Sequence, residues 1–347
     1  MIWTEWDPLK EMIVGRVYDP QDFDNYASNS PNFNDNEFRE GMWKILEETE
    51  EDYKRLTSLL ESLNVKVYRP KNLKIRNEQS RMWQNSFPYP GVCPRDFHIA
   101  YGNNILATIG GSVDRYFESD FFTQIMLQKY HEGRNYISMP KPLLENEYKN
   151  YKEVEGQILY HCANILKCGE LMINTAPYTN DNYGKGTRAG LDWVKKNIGY
   201  DLEWSEIPIS RHADGLIALI KPGVVMTYDP SWIPKELKDW KVIVAKQKPL
   251  PGWFVDASVQ SFYTGRVKEW LKNWIGYVDE TVFDINLISI NPNLVITNGY
   301  DRDIEEQLKQ QDVKMIPFEF RHKFFFDAGL HCMTLDLTRD GEQARYH

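Results

Sequence analysis

The chain has 347 residues, of which 42% are hydrophobic and 14% aromatic, and its formal net charge is −9. This is a globular composition rather than a disordered one, and its acidic balance lacks the basic footprint that nucleic acid needs while suiting a small cationic substrate. Cys93, Cys162, Cys168 and Cys332 are too few for a disulfide scaffold at this length. No apolar run reaches the ~18 residues of a membrane span. The opening segment shows no basic stretch followed by an apolar one. A reducing, cytoplasmic setting is therefore expected, with neither membrane nor nucleic acid as partner.

In chain order, a strand is expected over 11–17. A long helix over 37–63 carries Phe38, Met42, Ile45, Tyr53, Leu56, Leu60 and Leu63 at helical spacing, with Asn64 as its stop, and a strand follows over 65–69. From Asp96 a strand runs into a turn at Gly102-Asn103-Asn104 and a second strand follows, then a helix over 119–131 and a strand at 136–139. From His161 the same order recurs, with a turn near Cys168-Gly169, a helix over 187–197 and a strand near 202–207. From Asp214 it recurs with a turn at Lys221-Pro222-Gly223, a short helix over 234–239 and a strand at 242–245. From residue 283 it recurs with a turn at Asn291-Pro292-Asn293, a helix over 303–311 and a strand over 313–317. A last strand begins at His331-Cys332 and turns at Asp340-Gly341 near the end of the chain. The strand, helix and strand at the N-terminus supply what this copy lacks. Five ββαβ units then make an α/β ring in one domain over 1–347, with the fifth unit closed by both chain ends.

Each unit carries a reactive or polar residue at or just before its first strand: Asp96, His161, His212 with Asp214, Asp284, and Cys332. Equivalent positions in a ring face one axis, so these residues are expected to converge. A cysteine with a histidine in reach can act as a thiolate nucleophile, and two carboxylates can hold a planar guanidinium. Cys332, His212, Asp96 and Asp214 thus read as a guanidine-processing site, with His212 and Asp214 on one face of an extended strand. Plainer readings stand beside this one. Cys332 can be core filler, His322 or His331 can be its partner instead, Asp96 can be half of a salt bridge, and Asp284 can be structural. His161, Cys162 and Cys168 match no zinc spacing and read as core.

The sequence resembles the glycine amidinotransferase family nearly end to end. The resemblance rests on Glu5 to Arg16 (EWDPLKEMIVGR), Cys93 to Asn103 (CPRDFHIAYGN), Met139 to Pro142 (MPKP), His212-Ala-Asp214 leading to Pro222-Gly223, and Gly329 to Asp336 (GLHCMTLD). It implies the pentein fold, a five-fold pseudosymmetric α/β propeller. It also implies transfer of an amidino group from a guanidine donor, arginine above all, to an amine acceptor through an amidino-cysteine on Cys332. His212 would be acid and base, Asp96 and Asp214 would clamp the guanidinium, and no metal or organic cofactor would take part. A homodimer is an open alternative to the monomer. Three positions depart from the family. His161 stands where an aspartate orients the catalytic histidine, Ser231 where an arginine grips the substrate carboxylate, and Asp284 where a substrate-binding serine falls. Arg211, beside His212, can supply a relocated grip. A guanidine hydrolase on the same scaffold, and a silent protein that binds a guanidine or amine, are the alternatives.

Overall fold

A computed structural model describes residues 1–27, 36–71, 91–111, 115–141, 156–177, 185–246 and 283–347. Its elements in chain order are β1 (Leu9–Val14), α1 (Pro20–Ala27), α2 (Asn36–Ser62), β2 (Lys66–Tyr68), α3 (Pro94–Phe97), β3 (His98–Tyr101), β4 (Asn104–Ala107), α4 (Thr123–His131) and β5 (Asn135–Ser138). They continue with β6 (Ile165–Cys168), β7 (Leu171–Thr175), α5 (Arg188–Ile198), β8 (Glu203–Ile207), β9 (Ile217–Lys221), β10 (Val224–Thr227) and β11 (Lys241–Val244). The last are β12 (Ile288–Asn291), β13 (Leu294–Asn298), α6 (Arg302–Lys309), β14 (Lys314–Phe318), α7 (Lys323–Phe326) and β15 (Thr334–Arg339).

The described strands form five three-stranded sheets, and every sheet is built alike. Its middle strand pairs antiparallel with one neighbour and parallel with the other, as β4 does with β3 and β5. The sheet made from the two chain ends follows the rule, since β1 is antiparallel to β15 and parallel to β2. Hairpin glycines permit the tight turns. Gly169 between β6 and β7 has φ 67°, and a Cβ there would lie 2.0 Å from the Ala344 carbonyl oxygen. Helix α5 starts on Thr187, whose Oγ1 accepts from Gly190 N, and ends at Gly199 with φ 82°.

Short strands buried along both faces explain the nearly continuous apolar runs. On β9, Ile217 and Leu219 join one apolar cluster with β6 and β7, while Ala218 and Ile220 join another with Leu287 and Val295. Three further clusters join β3 and β4 to β6 and β7, the terminal sheet to β3 and β4, and the terminal sheet with α2 to β12 and β13. The stripe on α2 faces this last cluster through Met42, Ile45, Tyr53, Leu56 and Leu60, with Leu63 at its edge. The Phe38 side chain lies outside the described residues.

Two expectations need correction. In the unit starting at Asp214, the helix over 234–239 is only a single 3₁₀ turn, Lys235–Leu237. More importantly, no first strand begins at its polar residue. A hydrogen-bonded turn comes first in all five units, closed by Asp96 N→Cys93 O at 3.1 Å, Asn164 N→His161 O at 3.1 Å, Gly215 N→His212 O at 3.2 Å, Asn286 N→Phe283 O at 3.0 Å and Thr334 N→His331 O at 3.2 Å. Apolar content alone does not distinguish such a turn from the strand it feeds.

Candidate active site

The polar residues sit on these five turns. The turns before β3, β6 and β9 pack in succession, and the turn before β3 also packs on β15. Because His212 caps a 3₁₀ turn, Ala213–Gly215, and Asp214 lies within it, they do not share one face of a strand. Asp214 meets the cysteine, and His212 meets Asp96 and His161.

Cys332 is 3% exposed. Its Sγ lies 3.3 Å from Asp214 Oδ2 and accepts from Asn286 Nδ2 at 3.0 Å, while its backbone N donates to Asn286 Oδ1 at 3.0 Å. Asn286 is fixed from behind, because Asn298 Nδ2 donates to the carbonyls of Phe283 and Asn286 at 2.7 and 2.6 Å. Asn298 Oδ1 accepts from Leu330 N at 3.1 Å, which ties the turn of Asn286 to that of Cys332.

The second group is built on imidazoles. His161 Nδ1 lies 3.0 Å from His212 Nε2. On its other side, His212 Nδ1 is 3.8 Å from Asp96 Oδ1. Burial, reinforced by the nearby cations Arg115 and Lys185, holds both histidines well below the ordinary imidazole range, so the pair is neutral. Asp96 is indeed half of a salt bridge, since Arg115 Nη2 sits 2.7 Å from its Oδ2. One donor atom each from Asp96, His161 and His212 falls within 4.8 Å of the others, as a metal site would require. Arg115 and Lys185 oppose a further cation there, which favours acid–base use of the imidazoles.

In the site, Asp96 Oδ1 and Asp214 Oδ1 are buried without a hydrogen-bond partner among the described residues. Asp214 is ionised. Burial alone would raise its pKa, but the hydrogen bond to His331 and the nearby Arg95 guanidinium help pull it below the usual aspartate value. His331 joins its Nδ1 to Asp214 Oδ2 at 2.8 Å, so it lies in the site without facing the thiol. His322 lies elsewhere, 2.7 Å from Glu48 of α2. Cys162 meets Thr108 Oγ1 at 3.3 Å and Cys168 packs in the apolar cluster between β6 and β9. Burial pushes both thiols up to about 12, which makes them core and not nucleophiles.

Three candidates remain. Asp284 is buried on the turn of Asn286. Ser231 is exposed, and its N donates to Asp229 Oδ1 at 2.9 Å. Arg211 is half-buried, with its carbonyl accepting from Thr175 Oγ1 at 2.6 Å. Sequence reasoning missed Asn286, Arg115 and Glu5. Asn286 had a signal: it stands two residues before β12, as Asp96 does before β3 and Cys332 before β15.

No family model matches the chain. Individual proteins do match over its whole length. An inosamine-phosphate amidinotransferase of Streptomyces glaucescens is 25% identical over 99% of this chain and 98% of its own. An L-arginine:L-lysine amidinotransferase of Pseudomonas savastanoi pv. phaseolicola is 23% identical, covering 99% and 95%. The mitochondrial glycine amidinotransferase of Danio rerio is 20% identical, covering 99% and 83%. This chain is a relative of the amidinotransferases.

The amidinotransferase resemblance extends to the fold. The inosamine-phosphate amidinotransferase of Streptomyces griseus superposes with a TM-score of 0.71 at 22% identity, covering 99% of this chain and 98% of that one. An amidinotransferase of Microseira wollei from a saxitoxin biosynthetic pathway gives 0.73 at 19%, covering 100% and 99%. A dimethylarginine dimethylaminohydrolase gives 0.60 at 11%, covering 94% and 99%. The fold is therefore that of the penteins, which carries both amidinotransferases and hydrolases. Among the described residues, no helix is long and apolar enough to cross a membrane.

Proposed function

We propose that this protein moves an amidino group from a guanidine donor, arginine in the first instance, to an amine acceptor. The observation that carries the reading is the approach of Cys332 Sγ to Asp214 Oδ2 at 3.3 Å, with Oδ1 of both Asp214 and Asp96 buried and unpartnered. A guanidinium offers N–H donors in a planar fork, which suits two such oxygens. The five alike sheets, with apolar clusters each shared by two of them, support a single-domain five-fold propeller that sets its turns around this point.

In this reaction the Cys332 thiolate attacks the guanidinium carbon. Neutral His212 takes up the proton that the thiol loses; when the bond from that carbon to the donor's substituted nitrogen breaks, the leaving amine takes this proton from the resulting imidazolium. The acceptor amine then attacks the amidino carbon and gives its proton to His212, and the C–S bond breaks to return the thiolate. His161 orients His212 through the 3.0 Å contact in place of the family's aspartate. Arg211, Ser231 and Asp284 surround the donor's tail. With serine at the family's arginine position, a donor without an α-carboxylate, such as agmatine, fits this pocket better than arginine unless Arg211 turns inward. The names of the relatives indicate acceptors as different as glycine, lysine and an inosamine phosphate, so the acceptor is sought among primary amines.

Intact-mass and peptide mass spectrometry of the protein mixed with arginine or agmatine tests the reading. An adduct of amidino mass on Cys332 that disappears when an amine is added is expected. Absence of any adduct with both donors would overturn it. The fold shared with a dimethylarginine dimethylaminohydrolase makes hydrolysis the second reading, and a ureido product formed without added amine would favour that.

A further inference from the structure

We propose that His331 is a doubly protonated positioning residue, an imidazolium that balances the charge of Asp214 beside the Cys332 thiol. The inference rests on Cys332 as the nucleophile but concerns a residue to which the reaction above gives no role. Both ring nitrogens face carboxylates inside the protein: Nδ1 is 2.8 Å from Asp214 Oδ2 and Nε2 is 3.3 Å from Glu5 Oε2. An ionised carboxylate only accepts, and a neutral imidazole has one N–H, so two such contacts require a hydrogen on each nitrogen.

Glu5 is well placed to be ionised. Its Oε1 accepts from Lys167 Nζ at 2.8 Å and Lys167 N at 3.0 Å, and Arg95 Nη1 lies 3.7 Å from its Oε2. These partners outweigh burial and hold its carboxyl far below the usual range. The imidazole ring is anchored through its own backbone as well. The His331 carbonyl accepts from Arg95 Nε at 2.9 Å, and its N donates to the Asn286 carbonyl at 3.3 Å. Arg95 and Lys167 in turn reach Asp336 at 2.6 and 3.5 Å, which completes a buried network of alternating charge.

The consequence concerns one oxygen. Asp214 Oδ2 faces both His331 Nδ1 and Cys332 Sγ, whereas Oδ1 has no described partner. Without a cation on Oδ2, ionising the thiol would set two negative charges in contact inside the protein. With the imidazolium there, the repulsion is offset, Oδ2 is already engaged, and Oδ1 is left for the incoming cation.

Two measurements on the full-length protein test this, and neither requires a guanidine substrate. The first is nitrogen NMR of the ¹⁵N-histidine-labelled protein at neutral pH. One histidine should show two protonated ring nitrogens, and its signals should move when Cys332 is alkylated. The second is the rate of Cys332 alkylation by iodoacetamide, followed by peptide mass spectrometry in wild type and in His331→Gln, with circular dichroism to show that the variant is folded. Loss of the cation should slow alkylation by about tenfold or more. Absence of any histidine that both carries two ring N–H groups and responds to Cys332 alkylation would overturn the proposal, as would an alkylation rate in folded His331→Gln equal to wild type. Should His331→Gln not fold, the wild-type spectrum decides alone. Should arginine and agmatine leave no adduct while both signatures appear, the proposed reaction falls and the role of His331 stands.

Discussion

Chemistry at the residue scale depends on how each thiol and carboxyl is surrounded. Cys332 meets Asp214 and Asn286, whereas burial holds Cys162 and Cys168 as thiols near pKa 12. Cys332→Ala is therefore expected to abolish turnover, while Cys162→Ala and Cys168→Ala retain it with modest packing losses, as steady-state kinetics on the three variants will show. The carboxylates allow an equally sharp forecast. Each presents one oxygen to a protein cation, Arg115 for Asp96 and His331 for Asp214, and keeps the other unpartnered. Removing one charge from a buried pair with a cation costs about 3–5 kcal/mol. Asp96→Asn and Asp214→Asn should each lower kcat/KM by about a hundredfold or more, and values within about threefold of wild type for both would remove the clamp.

At the scale of elements, the site is a property of five turns more than of strands. The repeat of strand, hairpin, helix and strand was legible because Asn, Gly and Pro mark its turns and β-branched residues its flanks. The pairing of the two chain ends was legible for the same reason: β15 lacks a middle strand in its own segment and β1 lacks an antiparallel partner in its own. The turns before the first strands were not legible, since residues such as Ala213 and Leu330 read equally as strand. That one error misplaced His212 relative to Asp214 and hid Asn286. His331 was seen only as a rival to His212, because the carboxylates on its two nitrogens come from Glu5 and Asp214, far apart in sequence. A further element-level dependence is that of His161 on Gly110, just beyond β4. A Cβ at Gly110 would lie 2.5 Å from His161 Nε2 and 2.9 Å from the Phe97 ring. Gly110→Ala should push the imidazole off His212, at an overpacking cost of about 1–3 kcal/mol. Its kcat is expected to fall while Cys332 keeps its wild-type alkylation rate. An unchanged kcat would show that His161 does not orient His212.

Across the whole molecule, the structure buries ionisable groups of both kinds, and they respond to acid in separate ranges. The carboxylates with partners, Glu5, Glu11, Asp214 and Asp336, have folded pKa values below their usual ones, Glu11 at about 2. Their stabilisation is present above the unfolded carboxylate range and is lost only as pH falls toward those low values. The histidines act earlier. Burial lowers His161 and His212 well below 6.5 and His98 to about 4. Between those folded values and 6.5, the unfolded chain binds more protons than the native one, so stability falls as pH falls. Acid loss should therefore begin just below pH 6.5, before these four carboxylates titrate, with a slope approaching about 1.4 kcal/mol per pH unit for each buried neutral histidine. His98 isolates the effect outside the site. Its Nδ1 faces the Pro94 carbonyl at 3.0 Å and its ring packs edge-on against Phe122, with centroids 5.4 Å apart. Urea unfolding between pH 7 and pH 4.5 on wild type and His98→Leu should show a shallower pH slope in the variant, by about one histidine's share, whatever its stability at pH 7. Parallel slopes would mean that His98 takes up its proton over the same pH range in the native protein as in the unfolded chain, so that its burial does not exclude the charge.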